Sequence, residues 1–392
     1  MIVKEIDKGI YFMGAMHWER RLFDELIPLP DGTSYNAYLI KDEKIALIDS
    51  VDPSKEDELI EKLEELRIDK LDYIVSLHTE QDHSGAIPKI LEIYKDAKVI
   101  ASNLGKQFLK EHLLIPDEKI ITIENGENIS LGNKTLHFLY TPWVHWPETM
   151  LSYLEKNKIL FTCDLFGSHL ATSKIYADEN ERIYEGAKRY YAEIMMPFHN
   201  KIRKHIEKIR KLDIKLIAPS HGPIYRNPEF IINAYEDWIS DKVKNEVVLP
   251  YVSMHGSIEK MVKYFINALI KEDIHVKPFN LTVTDIGELT MALVDASTIV
   301  IASPMVLGGM HPLALYVAYL VNVLKPKTKF ISLIASYGWG GKILEQAKNM
   351  LNGLKAEFIE AVVARGYPKE KDFEALNKLA KKIAEKHKQK IQ

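Results

Sequence analysis

Short apolar runs alternate with polar turns along the first third of the chain, and this pattern predicts strands interleaved with helices. Residues 36–40 and 44–49 are apolar runs on either side of a charged turn, and they predict a β-hairpin. An amphipathic segment that follows, with Ser54 as its expected N-cap, predicts a helix ending near residue 66. The apolar run 72–77 predicts a buried strand.

A different pattern begins near residue 246, where apolar runs each lead into a loop containing Ser or Gly and then into a helical segment. The runs 246–252, 298–302 and 329–334 predict parallel strands in a βα alternation. Residues 369–388 predict a closing helix. The second half of the chain is therefore expected to form an open α/β sheet of its own.

Length and composition agree with two globular domains. A chain of 392 residues is typical of about two domains, and the change of pattern places them at 1–246 and 247–392. Apolar residues make up 46% of the chain and charged residues 27%, as in ordinary globular proteins. The formal charge of -3 argues against a nucleic-acid-binding protein. The single cysteine excludes a disulfide framework or a Cys-rich metal site.

No targeting or membrane segment is expected. Residues 1–7 lack the long apolar core of a signal peptide. The apolar segment 297–324 is interrupted by Pro304 and Pro312, and the run that remains is too short to cross a bilayer. The chain is therefore predicted to be cytoplasmic, with no membrane partner.

Metal-competent side chains cluster directly after the predicted strand 72–77. His78, Glu80, Asp82 and His83 lie within six positions, and an extended backbone would project the first three to one side. A solvated polar turn is the alternative for such a cluster on its own. The cluster gains significance only if other segments deliver ligands to the same place.

Three later segments do carry such residues near strand ends. His145 follows the strand predicted at 135–139, Asp164 ends the apolar run 159–164, and His221 follows the run 216–219. Individually, each histidine could be a packed core residue, and the aspartate could be a turn former. Four strand ends with ligand-type side chains favour one shared metal site over separate coincidences. Asp49, at another strand end, is expected to orient a site loop.

Three loops of the second domain carry the features of a phosphate and ring site. The first has Ser and Gly between a strand and a helix start, where backbone N–H groups bind anions, although a plain N-cap looks the same. It is neither a P-loop nor a dinucleotide fingerprint. The other loops add Gly and aromatic residues. The candidates are Ser253, Met254, His255, Gly256, Ser257, Pro304, Leu307, Gly308, Gly309, Ser336, Tyr337, Gly338 and Trp339.

The motif His-x-Glu-x-Asp-His, with a later His, a later Asp and a final Ser-His-Gly, resembles the metallo-β-lactamase fold. Hydrolases of that superfamily usually carry His-x-His-x-Asp-His, and Glu80 in place of the second His is similar to the diiron domain of flavodiiron proteins (A-type flavoproteins). Segments 18–40 and 145–148 also resemble that family, and the three later loops resemble flavodoxin. The resemblance implies an α/β fold: a metallo-β-lactamase-like αβ/βα sandwich followed by a flavodoxin-like doubly wound parallel sheet.

This resemblance implies FMN and two iron ions per chain. If Asp164 bridges, each ion has four ligands: His78, Glu80, His145 and Asp164 for one, and Asp82, His83, His221 and Asp164 for the other. Such imidazole and carboxylate sets suit iron, although zinc accepts the same donors. In some members the histidine equivalent to His83 turns away and water replaces it. No catalytic side chain beyond the ligands is expected.

The flavin loops depart from the flavodoxin pattern. Ser253, His255 and Ser257 stand where Thr is frequent, and Met305 and Leu307 stand where polar residues are common. These departures predict fewer phosphate contacts and a more apolar ring environment, with FMN still the expected ligand.

The implied function is an oxidoreductase that reduces dioxygen to water with electrons passed through FMN from F420H2, as in the F420H2 oxidases of methanogenic archaea. Nitric oxide reduction fed by rubredoxin is the alternative. A zinc hydrolase with a fused flavodoxin domain, or an electron carrier with a structural metal site, is less favoured, because a fused FMN domain has no evident use in hydrolysis. The resemblance also implies a head-to-tail homodimer or a dimer of dimers.

Overall fold

The computed structural model describes residues 3–391, so Met1, Ile2 and Gln392 lie outside the described part. The chain forms two compact units, Met1–Ile239 and Ser240–Gln392. The division falls a few residues before the predicted boundary, because the strand expected to open the second unit starts earlier, at Lys244.

The strands are β1 Lys4–Asp7, β2 Ile10–Phe12, β3 Ala15–His17, β4 Leu22–Phe23, β5 Ile27–Pro28, β6 Thr33–Tyr35, β7 Tyr38–Lys41, β8 Ile45–Ile48, β9 Tyr73–Val75, β10 Lys98–Ala101, β11 Ile120–Thr122, β12 Asn128–Ser130, β13 Thr135–Tyr140, β14 Met150–Leu154, β15 Ile159–Cys163, β16 Leu216–Pro219, β17 Lys244–Tyr251, β18 His275–Asn280, β19 Ala296–Val306, β20 Gly309–Met310, β21 Phe330–Tyr337 and β22 Glu357–Arg365. The α-helices are α1 Glu56–Glu65, α2 Gln81–Ser84, α3 Ile87–Ile93, α4 Asn103–Leu113, α5 Glu181–Tyr190, α6 His199–Ile209, α7 Pro228–Trp238, α8 Ser257–Ile270, α9 Ile286–Leu293, α10 Pro312–Leu324, α11 Ile343–Met350 and α12 Glu370–Lys390.

Two mixed sheets build the first unit. One has the order β1-β2-β7-β8-β9-β10-β11 and the other the order β12-β13-β14-β15-β16. Apolar side chains of both sheets, such as Ile48 and Phe161, share one buried core. The other face of the first sheet packs on α1, α3 and α4 through residues such as Leu59, Ile90 and Leu109. Alternating faces of the strands thus supply both cores.

Two local predictions in this unit were wrong. Ser54 does not cap α1: a 3-10 turn at Pro53–Lys55 comes first, and the Asp52 carboxylate accepts the Ser54 N–H at 2.9 Å. Proline suits the first position of such a turn, where no N–H is needed. The polar segment after β9 is not extended throughout, because Gln81–Ser84 forms the helical turn α2. The Ser84 hydroxyl contacts the carbonyls of Thr79 and Glu80 and stabilises that turn.

The second unit is an open parallel sheet. Its strand order is β18-β17-β19-β21-β22, with β20 paired beside β19. All neighbours along this path are parallel. The order is 2-1-3-4-5 within the unit, which is the flavodoxin-like arrangement, and its switch point lies between β17 and β19. Ligands bind such sheets outside the carboxyl ends of the strands at that point.

The apolar segment at 297–324 lies within this unit as most of β19, then β20 and α10. Across residues 3–391, no helix combines the length and the apolar character that crossing a bilayer requires.

Candidate functional site

Segments that follow three strands of the first unit bring the first group of ligand-type atoms together. His78 lies after β9, His145 after β13 and Asp164 directly after β15. His78 Nε2 is 3.1 Å from Glu80 Oε2 and 3.4 Å from Asp164 Oδ2. His145 Nε2 is 3.0 Å from the same Glu80 oxygen and 3.2 Å from Asp164 Oδ2. Four side chains therefore converge on one small volume.

A second group lies on the other side of the Asp164 carboxylate. His83 Nε2 is 2.9 Å from Asp164 Oδ1 and 3.3 Å from Asp82 Oδ1. His221 Nε2 is 3.1 Å from Asp82 Oδ2 and 3.4 Å from Asp164 Oδ1. The two Asp164 oxygens thus face different groups, as a bridging carboxylate would. This is the same division of residues that the family resemblance implies.

The spacing of these atoms suits metal ions better than direct hydrogen bonds. Atoms at about 2.1 Å from a shared metal lie roughly 3.0–3.4 Å from one another, which matches the separations here. Both oxygens of Asp82 and of Asp164, and both nitrogens of His83, are buried without an aligned hydrogen-bond partner. Such a concentration of unpaired buried polar atoms needs a cation to compensate it. The donor set fits a pair of iron ions.

Outer contacts fix the orientation of two imidazoles. His78 Nδ1 lies 2.6 Å from Glu148 Oε1, which also accepts the Thr79 N–H at 3.0 Å. His221 Nδ1 lies 2.6 Å from the Ser34 carbonyl oxygen. In each case the Nδ1 hydrogen bond leaves Nε2 free to face the site, as metal-binding histidines require. Glu148 and Ser34 are functional contacts that the sequence did not assign, although the former lies in the segment 145–148.

Glu148→Gln is expected to weaken metal binding by about 10–100-fold. The neutral amide loses the charged hydrogen bond to His78 and leaves that imidazole less firmly oriented. Titration of the metal-free protein with Fe²⁺ measures the affinity. Glu111→Gln, at an exposed position on α4, is the matched control and should bind as the wild type does. Equal affinities for both variants would contradict the role of Glu148.

Charge in the metal-free site is shared between imidazoles and carboxylates. Burial opposes the charged form of His145, but its contacts with the Asp164 and Glu80 carboxylates raise its pKa to about 9. Burial likewise opposes the charge on His221, whose contacts with Asp164 and Asp82 raise its pKa to about 10. The pKa of His78 and that of His83 are also raised. His145 and His221 therefore carry an extra proton at pH 7 when no metal is bound, and the pKa values of His78 and His83 shift in the same direction.

Metal loading at pH 7 is expected to release about two protons, one each from His145 and His221, because the ligands must bind as neutral imidazoles. The raised pKa values also stabilise the metal-free fold fully below about pH 6.5, and this stability is lost as the pH rises through 9 and 10. A pH indicator in weak buffer measures the release. Uptake of metal without protons would contradict the charge state.

Asp49 contacts the loops that carry the ligands. It follows β8, is buried, accepts the Leu77 N–H at 2.8 Å and lies 3.1 Å from the Ser220 hydroxyl. Burial raises its pKa to about 6. These contacts link the segments before His78 and His221, which agrees with an orienting role. Asp24 is a further acidic neighbour that the sequence did not single out; burial and the charges of Glu80 and Asp82 raise its pKa to about 6.

The second unit has a cleft of about 200 Å³ at the carboxyl ends of its strands. Many of the predicted cofactor residues line it, namely Ser253, Met254, His255, Ser257, Pro304, Ser336, Tyr337 and Gly338. Ile258, Met305 and Gly366 also line it but were not among the candidates. Leu307, Gly308 and Gly309 border a neighbouring cleft instead, and Trp339 is largely exposed.

The first loop of this cleft has the geometry of an anion cradle. Gly256 precedes α8 with φ +83°, and a Cβ there would project into open space. The Ser253 hydroxyl accepts the Glu259 N–H at 3.2 Å, whereas the earlier N–H groups of the first turn have no partner within the helix. A phosphate would therefore meet backbone donors and the positive end of the helix. These features fit FMN at the switch point.

Comparison with known proteins gives matches along the whole chain. The family model described as ODP family beta lactamase matches residues 33–222. A nitric oxide reductase from Moorella thermoacetica is 37% identical over 97% of both chains, and a coenzyme F420H2 oxidase from Methanocaldococcus jannaschii is 32% identical over 88% of both. The chain belongs to the flavodiiron protein family. The solved structure of rubredoxin oxygen:oxidoreductase from Desulfovibrio gigas, 30% identical, matches this flavodiiron protein with a TM-score of 0.96 over 100% of both chains.

Membership confirms the main expectations. The flavodiiron protein is an oxidoreductase, and the α/β fold with a metallo-β-lactamase-like sandwich and a flavodoxin-like sheet is confirmed. FMN and a diiron site are the cofactors of the family. The His, Asp and Glu groups described above fit the diiron site, and the loop before α8 fits the FMN phosphate.

Proposed function

We propose that this flavodiiron protein is a cytoplasmic enzyme that reduces dioxygen to water with electrons from F420H2. The proposal rests on the observation that the two carboxylate oxygens of Asp164 face two separate groups of ligand atoms. Paired iron supplies the electron transfer and the open coordination that a small oxidant needs, and FMN supplies electrons from the donor. Similarity over 88% of the chain to a coenzyme F420H2 oxidase supports the choice of donor.

In this proposal the seven ligands are divided between two ions. His78, Glu80 and His145 hold one ion, and Asp82, His83 and His221 hold the other, with Asp164 shared between them. The side chains of His145 and Glu80 are 17% and 11% exposed, whereas the other five ligands are 5% exposed or less. The substrate is therefore expected to enter beside His145 and Glu80, where the ligand cage is least covered.

FMN is proposed to bind in the cleft of the second unit. The loop 253–257 would hold its phosphate at the start of α8, and Pro304 and Tyr337 would border the ring. Met305 lines the same cleft, so the ring would meet a thioether where polar residues are common in flavodoxins. Leu307, Gly308 and Gly309 line the neighbouring cleft, and in this proposal they form the outer edge of the flavin site.

A head-to-tail dimer, alone or doubled into a tetramer, is part of the proposal. Large apolar residues are exposed near the flavin cleft: Met254 is 51% exposed, Leu307 93%, Trp339 70% and Tyr367 56%. Exposed apolar groups concentrated around a cofactor mark a contact surface. A second copy presenting its metal site there would bring flavin and iron of different chains together. A fully active monomer in solution would contradict this arrangement.

Nitric oxide is the second candidate substrate, with reduced rubredoxin as its donor. The support is the 37% identity to a nitric oxide reductase over nearly the whole chain. Both gases are small and need the same open metal site. A zinc hydrolase lacks any comparable support.

The deciding experiment measures consumption of each gas with one donor at a time. Iron-loaded, FMN-loaded protein is expected to oxidise F420H2 with dioxygen uptake and without peroxide, and more slowly with nitric oxide. Faster consumption of nitric oxide would make nitric oxide, and not dioxygen, the preferred substrate. Turnover with reduced rubredoxin alone would make rubredoxin, and not F420H2, the electron donor. Zinc in place of iron, with hydrolysis of lactams or esters, would overturn the proposal altogether.

A further inference from the structure

One aromatic side chain outside the ligand set contacts both imidazoles of the first ligand group, which consists of His78, Glu80, His145 and Asp164. Trp146 lies between β13 and β14, directly after His145. Its ring meets the His78 imidazole at 81° with 5.0 Å between centroids, and the His145 imidazole at 76° with 6.2 Å. The two imidazoles meet each other at 76° and 5.2 Å. The three rings are therefore packed together in the edge-to-face geometry that aromatic pairs favour.

His145 lacks the kind of outer hydrogen bond that orients its neighbour His78. Among residues 3–391, the polar side-chain contacts of His145 run through Nε2 toward Glu80 and Asp164. His78, by contrast, is also held from outside by the carboxylate of Glu148 on Nδ1. A metal-binding imidazole needs an outer contact to fix its orientation. For His145 that contact is the packing of its ring.

The far side of Trp146 rests on α4. Phe108 and His112, four residues apart on that helix, stack on one another at 16° with 5.5 Å between ring centroids. The Trp146 ring meets them at 84° and 88°, with 6.0 Å between centroids in each case. The Trp146 carbonyl oxygen accepts the Trp143 N–H at 2.7 Å and the Thr149 hydroxyl at 2.9 Å. Backbone and ring are both held, so the indole presents a fixed surface to the two imidazoles.

The second ligand group does not share this contact. In the part of the chain that the structure describes, the ring contacts of Trp146 include neither His83 nor His221. The His221 ring packs instead against Tyr35 and His169. A change at Trp146 therefore acts on one ligand group and leaves the packing of the other intact.

We propose that Trp146 is a positioning residue for the ion held by His78, Glu80 and His145. The inference rests on the proposed function and its assignment of the ligands, and it adds a residue outside that set. Loss of the indole removes the surface that holds two imidazoles of one ion in place. That ion should therefore bind about 10–100-fold more weakly, as for loss of other outer partners of metal ligands. The ion of the second group should keep its affinity.

The test measures iron per chain after equilibrium dialysis of the FMN-loaded protein against graded concentrations of Fe²⁺ without oxygen. At a concentration that just loads the wild type with two ions, Trp146→Ala should retain about one. Trp146→Phe keeps an aromatic ring and should regain the other. Trp143→Ala is the matched control, because Trp143 lies in the same segment but is 45% exposed, and it should load as the wild type does. Trp146→Leu keeps apolar bulk for folding without a ring, so it should lose the same ion as Trp146→Ala.

A second substitution identifies the ion that is lost. Adding His221→Ala to Trp146→Ala should remove the remaining ion, whereas adding His145→Ala should remove nothing more. Two ions in a folded Trp146→Ala or Trp146→Leu, equal loss of both ions, or no recovery in Trp146→Phe would overturn the positioning role while the proposed function stands. A wild-type protein that takes up fewer than two ions would instead overturn the ligand assignment on which the proposed function rests.

Discussion

Asp164→Ala is expected to strip both iron ions from the protein and to lower gas consumption by more than about a hundredfold, since loss of a mere outer contact already costs about 10–100-fold. The physical reason is that each carboxylate oxygen faces a different group: Oδ2 lies 3.4 Å from His78 Nε2, and Oδ1 lies 2.9 Å from His83 Nε2. Alanine removes a ligand from each ion at once. Iron content per chain and oxygen uptake with F420H2 measure the two effects.

FMN content supplies an internal control for this variant, because the flavin cleft belongs to the other unit and should stay loaded. Asp96→Ala, at an exposed turn of the same unit, is the matched substitution and should keep both ions. Retention of one ion after Asp164→Ala, with loss of the other alone, would show that the carboxylate serves a single ion. The bridging role of Asp164 would then be wrong, although the assignment of the other ligands would remain valid.

The sequence predicted which strand ends meet, but not how the first ligand segment is folded. An extended path from His78 to Asp82 was expected, whereas α2 begins at Gln81 and turns Asp82 and His83 toward the second group. A helical turn of four residues is too short to show a periodic pattern. The Ser84 hydroxyl adds side-chain hydrogen bonds to the turn, and serine is a residue that also suits a polar loop. The division between the groups followed from the family resemblance and not from local spacing.

The hydrogen bonds that orient the metal-binding histidines could not be predicted from the sequence either. Glu148 lies seventy positions from His78, and Ser34 offers only its backbone carbonyl to His221. Every residue type has a backbone carbonyl that can accept a hydrogen bond, so sequence patterns cannot reveal such a contact. Likewise, β22 was not predicted because charged residues interrupt Glu357–Arg365 at the sheet edge, and Gly366 at its end was missed as a lining residue of the flavin cleft. Edge strands tolerate such charges because one side meets solvent.

The phosphate loop, by contrast, was predicted from chemistry that the sequence does display: Ser and Gly between an apolar run and a helical segment. The structure adds the decisive detail that Gly256 has φ +83° and that a Cβ on this residue would have no atom within 4 Å. Space that is empty of protein and lies in front of a helix N-terminus is available to an anion. A side chain placed there would compete with the phosphate and not with the fold.

Gly256→Val is therefore expected to lose FMN while keeping both iron ions. A β-branched residue at positive φ costs about 1–2 kcal/mol, and loss of charged hydrogen bonds to a phosphate costs about 1.5–3 kcal/mol. The strain lowers the stability of the fold, whereas the lost hydrogen bonds predict FMN binding weaker by about 10–150-fold. Flavin absorbance of the purified variant and titration with FMN measure it.

Gly126→Val is the matched control, since Gly126 has φ +87° and equally open surroundings but belongs to the first unit. Its backbone strain is the same, so the control should lose stability and keep its flavin. If both variants retain FMN equally, the phosphate does not lie at the start of α8, and the flavin must be held by the second and third loops alone.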